Sequence, residues 1–474
     1  MAEGPRRRVE RDSMGELEVP DGAYYGATTM RAVQNFPISA LRFPRQFIRA
    51  VGMIKLAAAQ VNVELGLLDR ELADGIVRAA QEVVDGTFDD QFVIDIFQTG
   101  SGTSTNMNAN EVIANRAIEL LGGVIGSRSP VHPNDHVNIC QSSNDVIPSA
   151  IQLAALMAIK EQLVPALEGL QRACEAKAKE FMPIVKTGRT HLQDATPVRL
   201  GQEFQGFAGQ AERGLRRLGH ATRELGELPL GGTAVGTGIN AHPEFARRAC
   251  EIIGDLAGVT VSETDNHFQA QSTLDTVLEA SGVLRTIAIS MNKIANDVRW
   301  MGSGPRAGLG ELDVPAVQPG SSIMPGKVNP VIAEALCQVA GQVVGNDTTV
   351  AIANLQGSNF ELNVMMPVAQ YNLEQSISIL ASGIENFTKQ CVVPIKATNR
   401  GPEMVEKGLM ITTALAPEIG YDAAAAIAKE AYASGRTIRE VAREKTSLTE
   451  GDLDRILDPS KMTEPGLTGA PMGG

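Results

Sequence analysis

The stretch from Leu274 to Val298 reads LDTVLEASGVLRTIAISMNKIANDV. Two seams of apolar or small residues run through it at seven-residue spacing: Leu274, Ser281, Ala288 and Ala295 in one, Val277, Leu284, Met291 and Val298 in the other. Such a repeat marks a long helix packed along one face. It predicts about 30 residues of helix, ~45 Å at 1.5 Å per residue. The small residues of the first seam let neighbouring helices come close. Outward from this stretch the pattern recurs. A second seam runs Ile332, Leu336, Val339, Val343, Val350. A third has Met366, Leu373, Leu380 and Phe387 beside Ile377, Ile384 and Cys391. Leu156, Leu163 and Leu170 mark a fourth, and the span 198–225 a fifth. Pro165 and Pro367 fall inside two of them and are expected to kink them. Five such helices mean a mainly α fold built on a long bundle, with the Leu and Met residues as its packing.

The flanks differ. The first 40 residues read as a short hairpin and loop, Gly15 to Val19 and then the turn Pro20-Asp21-Gly22. Helical patterns follow at roughly 45–66 and 69–85. The stretches 98–110 and 127–145 are polar and read as loops or helix entries. Short helices are expected at 421–433, 437–444 and 450–457, with a frayed Pro/Gly-rich tail after Asp458. Three consecutive domains are expected: 1–141, 142–396 and 397–474.

The 474 residues carry 42 Lys+Arg against 55 Asp+Glu, a formal net charge of −13. That balance argues against nucleic acid or an anionic membrane as the main partner, since both select a basic footprint. Hydrophobic residues make up 43%, enough to exclude wholesale disorder, while charged residues are only 20%. So little charge suggests surface hidden in subunit contacts. The five cysteines form no C-x-x-C pair and are odd in number, which disfavours a disulfide framework or zinc site and fits a cytoplasmic location. Arg6–Arg8 is not followed by an apolar stretch, so neither a secretory signal nor a transit peptide is expected. No apolar run approaches the ~20 residues a membrane helix needs.

Chemistry belongs where polar segments interrupt the seams. Thr99 to Asn108 reads TGSGTSTNMN and offers hydroxyls and free amides just before a helix, either a ready anion site or simply an N-cap and linker. His132 to Asn138 reads HPNDHVN and is followed by Gln141-Ser-Ser-Asn-Asp145. Asn144 or Asp145 could cap a helix beginning near Ile147. The ligand spacing there is too irregular to read as a metal site. His191, in GRTHLQD, is a general acid/base candidate or a plain surface histidine. Gly320 to Pro330 reads GSSIMPGKVNP. It fails as a phosphate-binding P-loop, because five residues separate Gly320 from Gly326 and Val328 follows Lys327. Its Gly/Pro frame suggests a mobile loop closing on an anion. Gly231 to Gly238 lacks dinucleotide-binding spacing and reads as a turn region.

With these segments together, the chain resembles the fumarase/aspartase superfamily from Arg11 to about Asp458. GSSIMPGKVNP matches its signature, and the other three segments match its remaining site regions in order. Within it the chain is most similar to the class II fumarate hydratase family. Aspartate ammonia-lyases, the competing assignment, typically have Gln in place of His191 and Ala in place of Gly326. A helical tetramer without activity is the other alternative.

The resemblance implies a homotetramer with a 20-helix core, five helices from each subunit, and active sites shared by three subunits. It implies a dicarboxylate substrate, fumarate or L-malate, and neither metal nor organic cofactor. It assigns Ser321 as base for the carbon proton and His191 to the water or hydroxide proton. Which of Ser321 and His191 is the base stays open. Glu334 would orient His191, and Lys327 would stabilise Ser321 and a substrate carboxylate. Substrate contacts would come from Ser101, Gly102, Thr103, Asn106, Ser142, Ser143, Asn144, Thr190, Ser322, Lys327, Val328 and Asn329. His132, Pro133, Asn134 and Asp135 resemble a second dicarboxylate site. The family commonly has Asp where His136 stands, and its nearby basic residue is here Arg128.

Overall fold

The computed structural model describes residues 6–466. Helices dominate it, and its five sheets are all two-stranded. The long helices are Ser143–Phe181, Leu200–Glu224, Asp275–Met301, Val331–Gly357 and Met366–Phe387. Both seams of the Asp275–Met301 stretch are buried: every residue named above, Leu274 to Val298, is at most 2% exposed. The third seam is buried throughout, Met366 to Cys391. Heptad spacing thus located the core faces of these two helices, as period-matched apolar stripes do. In the second seam Leu336, Val343 and Val350 are buried but Ile332 and Val339 only half-buried.

The residues divide into two compact units. One comprises Met1–Pro165, Gly214–Ala288 and Val339–Ser382; the other comprises Ala166–Arg213, Ile289–Gln338 and Gly383–Gly474. In the first, the hairpin Arg7–Asp12/Gly15–Pro20 precedes the helices Arg45–Glu64, Arg70–Val84 and Thr103–Leu120. Its long helices are cross-linked by polar groups as well as by Leu and Ile. Ser281 Oγ donates to Asp347 Oδ1 at 2.8 Å, and Arg285 Nη1 to Asp347 Oδ2 at 2.6 Å. Asn346 Nδ2 reaches Gln375 Oε1 at 2.9 Å and Ser376 Oγ at 3.0 Å. In the second unit, Tyr421–Ser434, Ile438–Lys445 and Glu450–Ile456 close a small core of Ile411, Leu415, Ile427, Val441, Leu453 and Leu457. Capping boxes at Thr437/Glu440 and Thr449/Asp452 start two of these helices.

Several expectations need correcting. Pro367 is the second residue of its helix, in the first turn, where a missing N–H is harmless, so it makes no kink. Ahead of Pro165 the helix widens into a π-helical turn at Ile159–Leu163. That turn contains Glu161, whose carbonyl the proline ring would crowd in a regular helix. The tail is ordered from Pro459 to Thr463. Pro459–Thr463 form a 3-10 turn, and Thr463 is held by Arg199 Nε at 3.0 Å and Gln202 Nε2 at 2.7 Å. The last eight positions of the expected frayed tail, 467–474, lie outside the described residues. The helix Ser143–Phe181 contains a window of mean hydropathy 1.3, long and apolar enough to cross a bilayer by length and composition. Since 72% of that window is buried, its apolar surface is spent on protein packing. The helices Ala27–Asn35 and Phe245–Ala257 and the hairpin 185–199 went unread in the sequence.

Candidate active site

In the first unit, two polar segments meet at two helix N-termini. Gly102 adopts a left-handed conformation, φ 71°, just ahead of helix Thr103–Leu120. A Cβ on Gly100 would fall 1.7 Å from the Val364 carbonyl oxygen, so the chain can pass only as glycine. Ser101 Oγ lies 2.8 Å from Thr103 Oγ1, which lies 2.7 Å from Ser143 Oγ. Hydroxyls 40 residues apart thus form one string where helix N–H groups favour anions.

The second helix begins at Ser143, not near Ile147, and its cap is Ser142. Ser142 Oγ accepts from Asn144 N at 3.2 Å, and Asp145 Oδ1 accepts from Ser142 N at 2.8 Å, a reciprocal capping box. Asp145 does more than cap. Its Oδ2 accepts from Gly231 N at 2.9 Å and Thr233 N at 3.0 Å, and Asn144 Nδ2 donates to Ala234 O at 2.8 Å. The Gly231–Gly238 turn region is therefore pinned to the Ser142–Asp145 segment. Full burial pushes the Asp145 carboxyl up, while these N–H donors and Lys55 pull it back.

Beneath lies a buried network the sequence reading missed. Lys55 Nζ, wholly buried, donates to Asn138 Oδ1 and Gln141 Oε1, both at 2.9 Å. Asn106 and Asn110 also donate to Asn138 Oδ1, each at 3.2 Å. Burial lowers the Lys55 ammonium to about 7, with Asp145 opposing the shift. The available signal was a lone Lys inside the apolar run Val51–Ala59. Of the expected second site, Pro133–Val137 form a π-helical turn. His132 Nδ1 accepts from Asn134 N at 3.3 Å and Asp135 N at 3.2 Å. Asp135 Oδ2 is also 3.3 Å from that nitrogen. Burial lowers the His132 pKa, and two N–H donors on Nδ1 require a lone pair there, so the neutral ring describes the contact better than an ion pair.

The second unit holds the other candidates. Val185–Thr190 and Gln193–Arg199 form an antiparallel hairpin whose two-residue turn is His191-Leu192. Both have positive φ, 56° and 60°, as the primed hairpin turns require. His tolerates this better than most residues but Leu does not, so the turn is strained at Leu192, and His191 stands exposed at its tip. The Gly320–Asn329 loop is closed on itself. Gly320 N donates to Lys327 O at 2.9 Å and Asn329 Nδ2 to Gly320 O at 2.6 Å. Inside it, Ser321 Oγ accepts from Ile323 N at 3.2 Å and Met324 N at 2.9 Å. Ser322, Lys327 and Val328 are exposed, and Glu334 lies in the first turn of helix Val331–Gly357. Among the described residues, His191, Lys327 and Glu334 form no side-chain hydrogen bond with one another. The structure thus joins Ser101, Thr103 and Ser143 directly, and it gathers Ser321, Lys327 and Asn329 in one loop.

Residues 15–345 match a family described as Lyase, and residues 411–464 one described as Fumarase C C-terminus. The chain is 52% identical to fumarate hydratase class II 2 of Bradyrhizobium diazoefficiens, covering 98% of both chains. It is 54% identical to fumarate hydratase class II of Halobacterium salinarum, over 97% of this chain and 98% of that one. Among solved structures it is similar to recombinant class II fumarase from Schistosoma mansoni. There the TM-score is 0.94 and the identity 38%, over 96% of this chain and 99% of that one. Fumarate lyase:delta crystallin from Brucella melitensis bound to cobalt gives a TM-score of 0.93 at 45% identity, covering 97% and 100%. The chain belongs to this lyase family and, within it, to the class II fumarate hydratases.

Proposed function

We propose that this chain catalyses the reversible hydration of fumarate to L-malate, a step of the tricarboxylic acid cycle. In the malate direction a proton leaves carbon next to a carboxylate, and a second negative charge grows as an aci-carboxylate. The site must supply a base and preorganised donors aimed at that charge. The observation that carries the reading is the closed loop in which Ser321 Oγ accepts two backbone N–H groups. Donors aimed at an oxygen favour its anion, which supports Ser321 as the carbon base with Lys327 nearby in sequence. His191 handles the water or hydroxide proton on the opposite face, oriented by Glu334. Thr103, Ser142, Ser143, Asn144, Thr190 and Asn329 bind substrate, and the helix N-termini beside Thr103 and Ser143 favour its carboxylates.

The working form in this proposal is a homotetramer of three-domain subunits with a 20-helix core. Each active site draws on three subunits. Exposed apolar residues on the long helices support it: Ile289 54%, Trp300 52%, Ile352 48% and Leu355 76%. His132–Asp135 form a second dicarboxylate site. The protein works in the cytoplasm without nucleic acid, membrane, metal or organic cofactor.

Absorbance of the fumarate double bond tests this. L-malate should generate it equally with and without EDTA. Ser321→Ala and His191→Asn should each lower kcat at least ~100-fold, the scale of lost acid/base catalysis. Double-bond absorbance from aspartate and none from malate would overturn the assignment.

A further inference from the structure

At the root of the His191 hairpin lies a buried charge cluster that no role above uses. Lys186, on the first strand, is 2% exposed, and its Nζ lies 3.0 Å from both carboxylate oxygens of Glu203. The same Nζ is 2.8 Å from Glu311 Oε2. Arg189 Nη1, on the same strand, donates to Glu311 Oε1 at 2.8 Å. Glu311 itself is only 3% exposed. Two cations and two carboxylates balance within one cluster. Burial raises the Glu203 carboxyl, Lys186 opposes this, and Glu311 and Asp297 add to it.

The cluster joins separate pieces of chain. Glu203 lies on helix Leu200–Glu224. Glu311 precedes the strand Leu312–Asp313, and its backbone is fixed by Met301 O at 2.8 Å and by Thr398 N at 3.0 Å. From there the chain runs on to Ser321. The hairpin is irregular where the cluster grips it. Pairing passes from Thr187↔Pro197 to Arg189↔Asp194, so Ala195 and Thr196 face Gly188. A bulge increases local twist and re-aims side chains, and here Lys186 and Arg189, three apart, both reach Glu311.

A buried ion cluster adds little net stability over apolar packing of equal volume, and a geometric role is its better-attested use. A strained turn also persists only where its surroundings over-determine it. We propose that Glu311, together with Lys186 and Arg189, is a positioning residue for His191. The cluster clamps the hairpin strand and so fixes where the His191-Leu192 turn presents its imidazole. This rests on the role of His191 proposed above.

The test measures kcat and KM for L-malate in Glu311→Gln and Arg189→Lys, each in the parent and in a His191→Asn background. Each should lower kcat at least ~10-fold with KM within about threefold, because orientation rather than binding is lost. In the His191→Asn background each should change kcat less than ~2-fold, since the clamp acts through that side chain. Arg189 is partly exposed, so Arg189→Lys carries the test alone if Glu311→Gln does not fold. Parental kcat in the single variants, or equal losses in both backgrounds, would overturn the clamp alone. Parental turnover in His191→Asn would overturn the role of His191 and the clamp with it.

Discussion

Glu374 shows how one residue's surroundings set its chemistry. It lies on the Met366–Phe387 helix, 5% exposed, with the Gln370 side-chain amide and the Gln46 backbone N–H donating to it. Burial outweighs those donors and raises its pKa from 4.5 to about 7. The folded chain therefore holds a proton there that the unfolded chain has released, across the window from 4.5 to about 7. The stability from that proton is complete below 4.5 and is lost as pH rises through about 7. Glu374→Gln keeps an uncharged group at every pH. Urea midpoints should show it more stable than the parent at pH 8.5, by up to about 3 kcal/mol, with a smaller gain at pH 5.5. An equal difference at both values would show that Glu374 does not titrate in that window. Ser321 and His191 were legible in the sequence as residue types in polar loops. Lys55, Glu311 and Glu374 were not, because burial of a charge depends on what the rest of the chain packs against it.

At the scale of elements, regular periodicity was legible and irregular pairing was not. Val185–Arg199 has no clean alternation, contains Gly188 and Pro197, and turns on His191-Leu192 instead of the Asn-Gly that usually announces a hairpin. The element that presents the candidate acid/base was thus hidden, though the residue itself was found. The Gly320–Asn329 loop makes a sharper forecast. A Cβ on Gly320 would sit 2.2 Å from Lys327 O, the partner of the bond that closes the loop. Gly326, at φ 80°, has open space around it. Gly320→Ala should lower kcat at least ~10-fold by opening the loop. Gly326→Ala, which meets only a left-handed backbone penalty of about 1–2 kcal/mol, should lose less than Gly320→Ala. Steady-state kinetics on both variants decides it, and the reverse order would contradict the loop geometry.

For the whole molecule, the proposed tetramer ties assembly to activity. Helix Val331–Gly357 exposes Leu355 at 76% and Ile352 at 48%, while its Leu336, Val343 and Val350 are fully packed. A helix apolar on more than one face is built to be buried on more than one face. Leu355→Arg should shift the sedimenting species from about four times the 50.3 kDa chain mass to smaller forms and remove malate turnover with it. Fully active small species would refute active sites shared between subunits.

The sequence by itself determined the helical class, the core faces of the long helices and the identity of the polar loops. Heptad spacing and turn chemistry are local properties, written residue by residue. Tertiary structure decided what those loops are fastened to. It set Asp145 to hold the Gly231 and Thr233 amides, joined Thr103 to Ser143, and placed Lys186, Glu203 and Glu311 within salt-bridge distance behind the His191 turn. Those contacts span tens to more than a hundred residues of chain. They form only when packing has removed water and brought distant segments within 3 Å, so no local pattern encodes them.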